Sequence, residues 1–210
     1  MCTPDEYMDS FESFCDDTIT INSETGKALK DVVGNQYEKH RYRIYRKMHL
    51  DPRSEIHDKS LKAFNADAWV YDQEDNLVIV EEAKGHYVDS CFLERALGSF
   101  AKQIKAFLDD GWTEKEIPYF IISSPTTYSL FDQKFEEYLS LYLDENPIKH
   151  LLREKVKYFC ITSDGRLDRK SKQGRSGWLQ STNRPIPRTP LTESFVQQEL
   201  NFLSELRGGR

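Results

Sequence analysis

Residues 65–84, NADAWVYDQEDNLVIVEEAK, hold the pattern from which the fold of this chain is built up. Asn65 to Tyr71 carries Ala68, Trp69, Val70 and Tyr71 together, which predicts a short strand. Asp72 to Asn76 is polar and rich in Asp and Asn, whose side chains satisfy their own backbone in tight turns. Leu77 to Lys84 predicts a second strand, and its run Leu77, Val78, Ile79, Val80 suits a strand buried on both faces in mid-sheet. Alternation along that strand puts Val78, Val80, Glu82 and Lys84 on one face. The turn brings the two strands together antiparallel, so Asp67, Glu82 and Lys84 are expected to converge at one end.

Working outward, Glu24 to Met48 is expected to be a helix capped by Ser23, with Leu29, Val32, Val33 and Tyr37 near helical spacing and Gly34 in its middle. Leu50 to Ala63 opens with Asp51-Pro52 and is taken mainly as a connection. Phe92 to Asp110 is a long amphipathic helix whose apolar face includes Leu97, Phe100, Ile104 and Phe107, stopped by Gly111-Trp112. Ile117 to Ser123 and Val156 to Thr162 are further strands, with a helix over Phe131 to Asp144 between them. Ser163 to Pro190 is a long loop, with a hairpin expected near Trp178, and Thr192 to Leu206 returns to helix. The pattern predicts one α/β domain: a central mixed β-sheet flanked by helices. It divides into an acidic N-terminal segment (1–22), a core (23–162), and a basic loop with a C-terminal helix (163–210).

Charged residues make up 30% of the 210-residue chain and hydrophobic ones 38%, a balance that sustains a core without disulfides or a structural metal. Cys2, Cys15, Cys91 and Cys160 form no C-x-x-C pair, which argues against a zinc knuckle or redox motif. No apolar run approaches the roughly 18 residues of a membrane span. With no signal-peptide pattern in the acidic N-terminus, a cytoplasmic protein is expected. The net charge of −6 disfavours a polyanionic partner, but its distribution does not. The first 26 residues hold Asp5, Glu6, Asp9, Glu12, Asp16, Asp17 and Glu24 and no Lys or Arg, whereas basic residues crowd the stretch from Arg153 to Arg188. A phosphate backbone responds to such local potential as well as to the total.

Two carboxylates beside an ammonium suit metal-assisted phosphodiester hydrolysis. Mg²⁺ takes one or two carboxylates and keeps waters. A lysine then orients the attacking water and adds positive charge where negative charge builds. The other reading of Glu81, Glu82 and Lys84 is an ordinary polar exit from a buried strand. His86 reads as a surface-loop histidine, and no G-x-S-x-G marks a serine nucleophile.

Asp67 followed by Glu82-Ala83-Lys84 at the end of an apolar strand resembles the PD-(D/E)xK nuclease superfamily, type II restriction endonucleases in particular. The resemblance covers Glu24 to Ser124, with Ala66 standing where the superfamily's name has Pro. It implies a restriction endonuclease-like fold and a Mg²⁺-dependent endonuclease, with Asp67 and Glu82 holding Mg²⁺ and Lys84 positioning water. It further implies Glu38 on the first helix as an assisting carboxylate and Gln103 as an accessory residue. For both, a solvated helix residue is the alternative. The substrate implied is double-stranded DNA, cut at a specific sequence by a homodimer, as part of restriction-modification. A nuclease of repair, transposition or junction resolution, and an inactive DNA-binding protein, are the other readings.

The basic loop is the expected DNA-binding region. Arg166, Arg169, Lys170, Lys172 and Arg175 suit phosphates, and Gln173, Arg175, Gln180, Asn183 and Arg184 have side chains that read base edges. A solvated, disordered tail is the alternative. Lys39, Arg41, Arg43, Arg46 and Lys47, interleaved with Tyr42 and Tyr45, either grip the backbone or form an ordinary charged helix face.

Overall fold

The computed structural model describes residues 2–25, 29–55, 64–84, 90–126, 148–162 and 193–207. Helix α1 spans Pro4–Thr25, α2 Leu29–Lys47, α3 Ser90–Asp109, α4 Lys149–Lys155 and α5 Glu193–Arg207. The strands are β1 (Asp51–Arg53), β2 (Ala68–Tyr71), β3 (Leu77–Ala83), β4 (Tyr119–Thr126) and β5 (Val156–Thr162). They form one sheet in the order β1-β2-β3-β4-β5. The β1/β2 and β2/β3 pairs are antiparallel, and the β3/β4 and β4/β5 pairs parallel. This is an α/β fold with a mixed sheet flanked by helices, as the sequence pattern predicts.

The β2–β3 hairpin owes its register to Asp72. Its Oδ1 accepts from the backbone N–H groups of Glu74 and Asn76, both at 2.9 Å, and Asp75 takes a left-handed φ of 65°. Trp69 then faces Val80 and Ala68 faces Glu81, with a register shift between Val70 and Tyr71. Central β3 is buried from Leu77 to Glu81, as its apolar run requires. Crossing from β3 to parallel β4 takes a helix, which α3 supplies. Its C-terminus closes at Gly111 (φ 88°), with the Trp112 N–H donating to Phe107 O at 3.0 Å and the Trp112 ring packed on Phe107.

Two apolar layers sandwich the sheet. One joins Tyr7, Phe11 and Phe14 of α1, Tyr37 and Ile44 of α2 and Leu200 and Leu203 of α5 to Val70, Ile79 and Ile121. The other joins Leu97, Phe100, Ile104 and Phe107 of α3 and Leu151 and Leu152 of α4 to Trp69, Val80, Phe120 and Ile122.

Three expectations change. The acidic segment 1–22 folds almost entirely into α1. Its acids Asp5, Glu6, Asp9, Glu12 and Asp16 lie on the exposed face while Tyr7, Phe11 and Phe14 pack inward. Thr3 and Glu6 start this helix as a capping box: Glu6 N–H donates to Thr3 Oγ1 (3.2 Å) and Thr3 N–H to Glu6 Oε2 (2.9 Å), with Pro4 at the first turn. Ser23 therefore lies inside α1 rather than capping a helix from Glu24, and α2 begins at Leu29. The connection 50–63 contributes strand β1, where Pro52 is tolerated because β1 lies at the sheet edge. The helix expected over Phe131 to Asp144 and the hairpin near Trp178 lie outside the described residues. Among those described, no helix is long and apolar enough to cross a membrane.

Candidate active site

The antiparallel pairing carries Asp67, the residue before β2, to the end of β3. Its N–H donates to Glu81 O at 2.9 Å and continues the ladder. Its side chain then ends the ladder, because Asp67 Oδ2 accepts from the Ala83 N–H at 2.7 Å. The carboxylate is thus fixed against the backbone linking Glu82 to Lys84. Strand alternation sends Glu81 and Ala83 toward α1, α2 and α5, and Glu82 and Lys84 toward the α3 side. Lys84 N–H donates to Ser123 O (2.8 Å), holding the strand exit against β4, and its ammonium lies 4.5 Å from the Phe92 ring centre on α3.

Helix α2 reaches the same strand end through Tyr42, whose hydroxyl donates to Asp67 O at 2.9 Å. Glu38 is one helical turn earlier on that face. It is half-buried, and its electrostatic neighbours are Asp67, Glu81 and Lys84. Asp67 and Lys84 are thus the shared electrostatic neighbours of Glu38 and Glu82.

The carboxyls in this cluster resist ionisation. Burial, then Asp67, pushes Glu82 up to about 7, with Lys84 opposing. Burial also raises Asp67, against the pull of the Ala83 hydrogen bond, and raises Glu38, to which Asp67 adds. Half-buried acids that penalise one another's charge form a site that a cation would relieve. Among the described residues no group of three or more His, Cys, Asp or Glu side chains is arranged to hold a metal ion. Asp67 and Glu82 are nevertheless hard oxygen donors, and Mg²⁺ commonly takes two carboxylates and keeps several waters. The donor chemistry fits that ion.

Glu81, next to Glu82 in sequence, does something different. Its Oε1 accepts from Arg41 Nε at 2.6 Å and from the Ser123 hydroxyl. Arg41 also pairs with Glu199 of α5 and donates to the hydroxyls of Tyr7 (3.3 Å) and Tyr45 (3.1 Å), while Tyr7 donates to Glu199 Oε2 at 2.8 Å. Arg41 and Glu81 are 1% exposed and Glu199 4%. This ion-pair cluster braces β3 directly behind Glu82. Strand alternation foretells opposite directions for Glu81 and Glu82, but no local signal links Arg41 to Glu199, which is 158 residues away. Tyr42 also escaped the sequence reading as a site residue; its spacing of four from Glu38 was the available signal.

Gln103 is not the solvated helix residue offered as an alternative. It is fully buried on α3, where its amide donates to Ser99 Oγ at 3.2 Å within the same helix. Arg41 is likewise buried and cannot grip a nucleic-acid backbone. His86 and the basic-loop residues Arg166, Arg169, Lys170, Lys172, Gln173, Arg175, Gln180, Asn183 and Arg184 lie outside the described residues. No family model, curated protein or solved structure matches this chain.

Proposed function

We propose that this chain is a Mg²⁺-dependent endonuclease of the PD-(D/E)xK type acting on double-stranded DNA. The observation that carries the reading is the convergence of Asp67, Glu82 and Lys84 at one end of the β2–β3 pair, with Asp67 hydrogen-bonded to the peptide between the other two. An ordinary charged strand exit would let its side chains spread into solvent. Here the acids are drawn inward, and burial holds Glu82 and Glu38 above the ordinary carboxylate range, as is common where charge is handled chemically.

In this reading Asp67 and Glu82 hold the metal, and Lys84 orients the attacking water and faces the charge growing on the phosphoryl oxygens. Bound Mg²⁺ supplies charge neutralisation and a more acidic water. Glu38 assists through Asp67. The resemblance extends the proposal to a type II restriction endonuclease: a homodimer that leaves 5′-phosphate ends at a defined sequence, with DNA contacts from the basic-loop residues between Arg166 and Arg184.

The test is incubation with phage DNA and Mg²⁺, beside Lys84→Ala and an EDTA control. Discrete fragments lost in both controls support the full proposal. A smear lost in both retains the nuclease and rejects the restriction class, in favour of a repair or junction enzyme. Absence of cleavage on linear and branched DNA with Mg²⁺ or Mn²⁺ overturns the enzyme reading.

A further inference from the structure

The basic stretch of α2 is sorted by the fold. Arg41 is buried against Glu81 and Glu199. Arg43 pairs with Asp17 (3.4 Å) and donates to Ser13 Oγ, and Lys47 donates to Glu6 O, so both are engaged with α1. Lys39 and Arg46 remain. Both are exposed, and among the described residues neither has a carboxylate partner. At 100° per residue they lie on the solvent-facing side of α2, between the flank of Glu38 and Tyr42 and the flank of Arg43 and Lys47. The Arg46 guanidinium stands over the Tyr42 ring, 6.0 Å from its centre, and Tyr42 is the residue bonded to Asp67 O.

We infer that Arg46, supported by the Tyr42 ring and flanked by Lys39, holds a phosphate of the DNA backbone next to the acidic cluster. The inference rests on the nuclease reading and adds a substrate contact to it. An acidic site needs such a contact, because its own carboxylates repel the phosphodiester until a cation intervenes. Glu38 and Arg46 are eight residues apart, about 12 Å along the helix. The Tyr42 face restricts the guanidinium and lowers the entropy lost on binding.

The experiment is fluorescence anisotropy of the full chain with a labelled 20-base-pair duplex over a salt series, with Ca²⁺ in place of Mg²⁺ to offset the acids and a gel to confirm that the duplex stays intact. Arg46→Ala is expected to weaken binding about three- to tenfold at low salt and to flatten the log–log salt slope by about one. Arg46→Lys should keep most of the slope, and Arg43→Ala should leave it unchanged. Equal affinity and slope for Arg46→Ala and the unaltered protein, an equal effect from Arg43→Ala, or no duplex binding by the unaltered protein would each overturn the inference. An Arg46 effect on binding in a protein that cleaves nothing would instead overturn the nuclease reading and leave this contact standing.

Discussion

Replacing Glu82 by Gln should stabilise the metal-free protein at pH 8 and leave it unchanged near pH 4. Folding raises the Glu82 pKa from an ordinary 4.5 to about 7, through burial first and Asp67 second. The sign follows from proton counting. Below pH 4.5 both folded and unfolded chains hold the proton, and Glu82 contributes no pH dependence. Between 4.5 and 7 the unfolded chain releases it while the folded chain retains it, so stability falls as pH rises. Above 7 the full penalty is in place, roughly 3 kcal/mol at 1.36 kcal/mol per pH unit, and less to the extent that solvent reaches this partly exposed carboxyl. Gln keeps the shape and cannot ionise. At about 2–4 °C per kcal/mol for a chain of this size, Glu82→Gln should gain about 3–10 °C in Tm at pH 8. Thermal unfolding of both proteins in EDTA across pH 4–8 measures this. Equal Tm values at pH 8, or a gain of the same size at both ends of the range, would refute the account of Glu82. Saturating Mg²⁺ should reverse the order, because only the carboxylate gains a partner.

Mg²⁺ should raise the Tm of the unaltered protein and not that of Asp67→Ala or of the Glu82→Gln protein; a shift retained in both would place the metal elsewhere. Arg41→Ala leaves Glu81 and Glu199 buried without their shared cation and should cost about 3–5 kcal/mol, read as a lower urea midpoint, whereas a loss below 1 kcal/mol would mean that the ion pairs are solvated. His40 is buried with Nδ1 on Ser10 Oγ at 3.1 Å, and burial, then the charge of Arg41, holds its pKa well below 6.5. As pH falls below 6.5 the unfolded chain takes up a proton that the folded chain refuses, so stability declines; His40→Gln should flatten that decline, and parallel pH profiles would contradict it.

What the sequence disclosed was local. The apolar run Leu77 to Val80, the Asp72 turn and the spacing of Leu97, Phe100, Ile104 and Phe107 each act over a few residues, so strand, hairpin and helix could be recognised without tertiary knowledge. The convergence of Asp67 with Glu82 follows from that hairpin. Helix α1 was not foreseen, although Thr3 and Glu6 form a capping box and Tyr7, Phe11 and Phe14 share a face, because its dense acids hid the pattern. Edge strand β1 was obscured by Pro52, which disfavours interior strands only. Three facts were not legible at all: that Gln103 is buried, that Arg41 is withdrawn from the surface, and that Glu199 reaches it. Each depends on which elements pack together, and neither charge nor periodicity encodes that pairing.

Arg41 binds partners that are far apart in sequence, and Tyr7 and Glu199 are 192 residues from each other when they meet. This brace has consequences for the order of events during synthesis. Helix α2 and strand β3 emerge early, but Arg41 keeps a vacant side until residue 199 has been made and α5 docks. Closing so long a loop is entropically slow, and native contacts of such separation form late. The strand that carries Glu82 therefore gains its final support only once residue 199 and its helix exist, and a growing chain presents the acidic cluster on an unbraced scaffold. For the nuclease proposed above, that timing would keep chains not yet extended past Glu199 harmless.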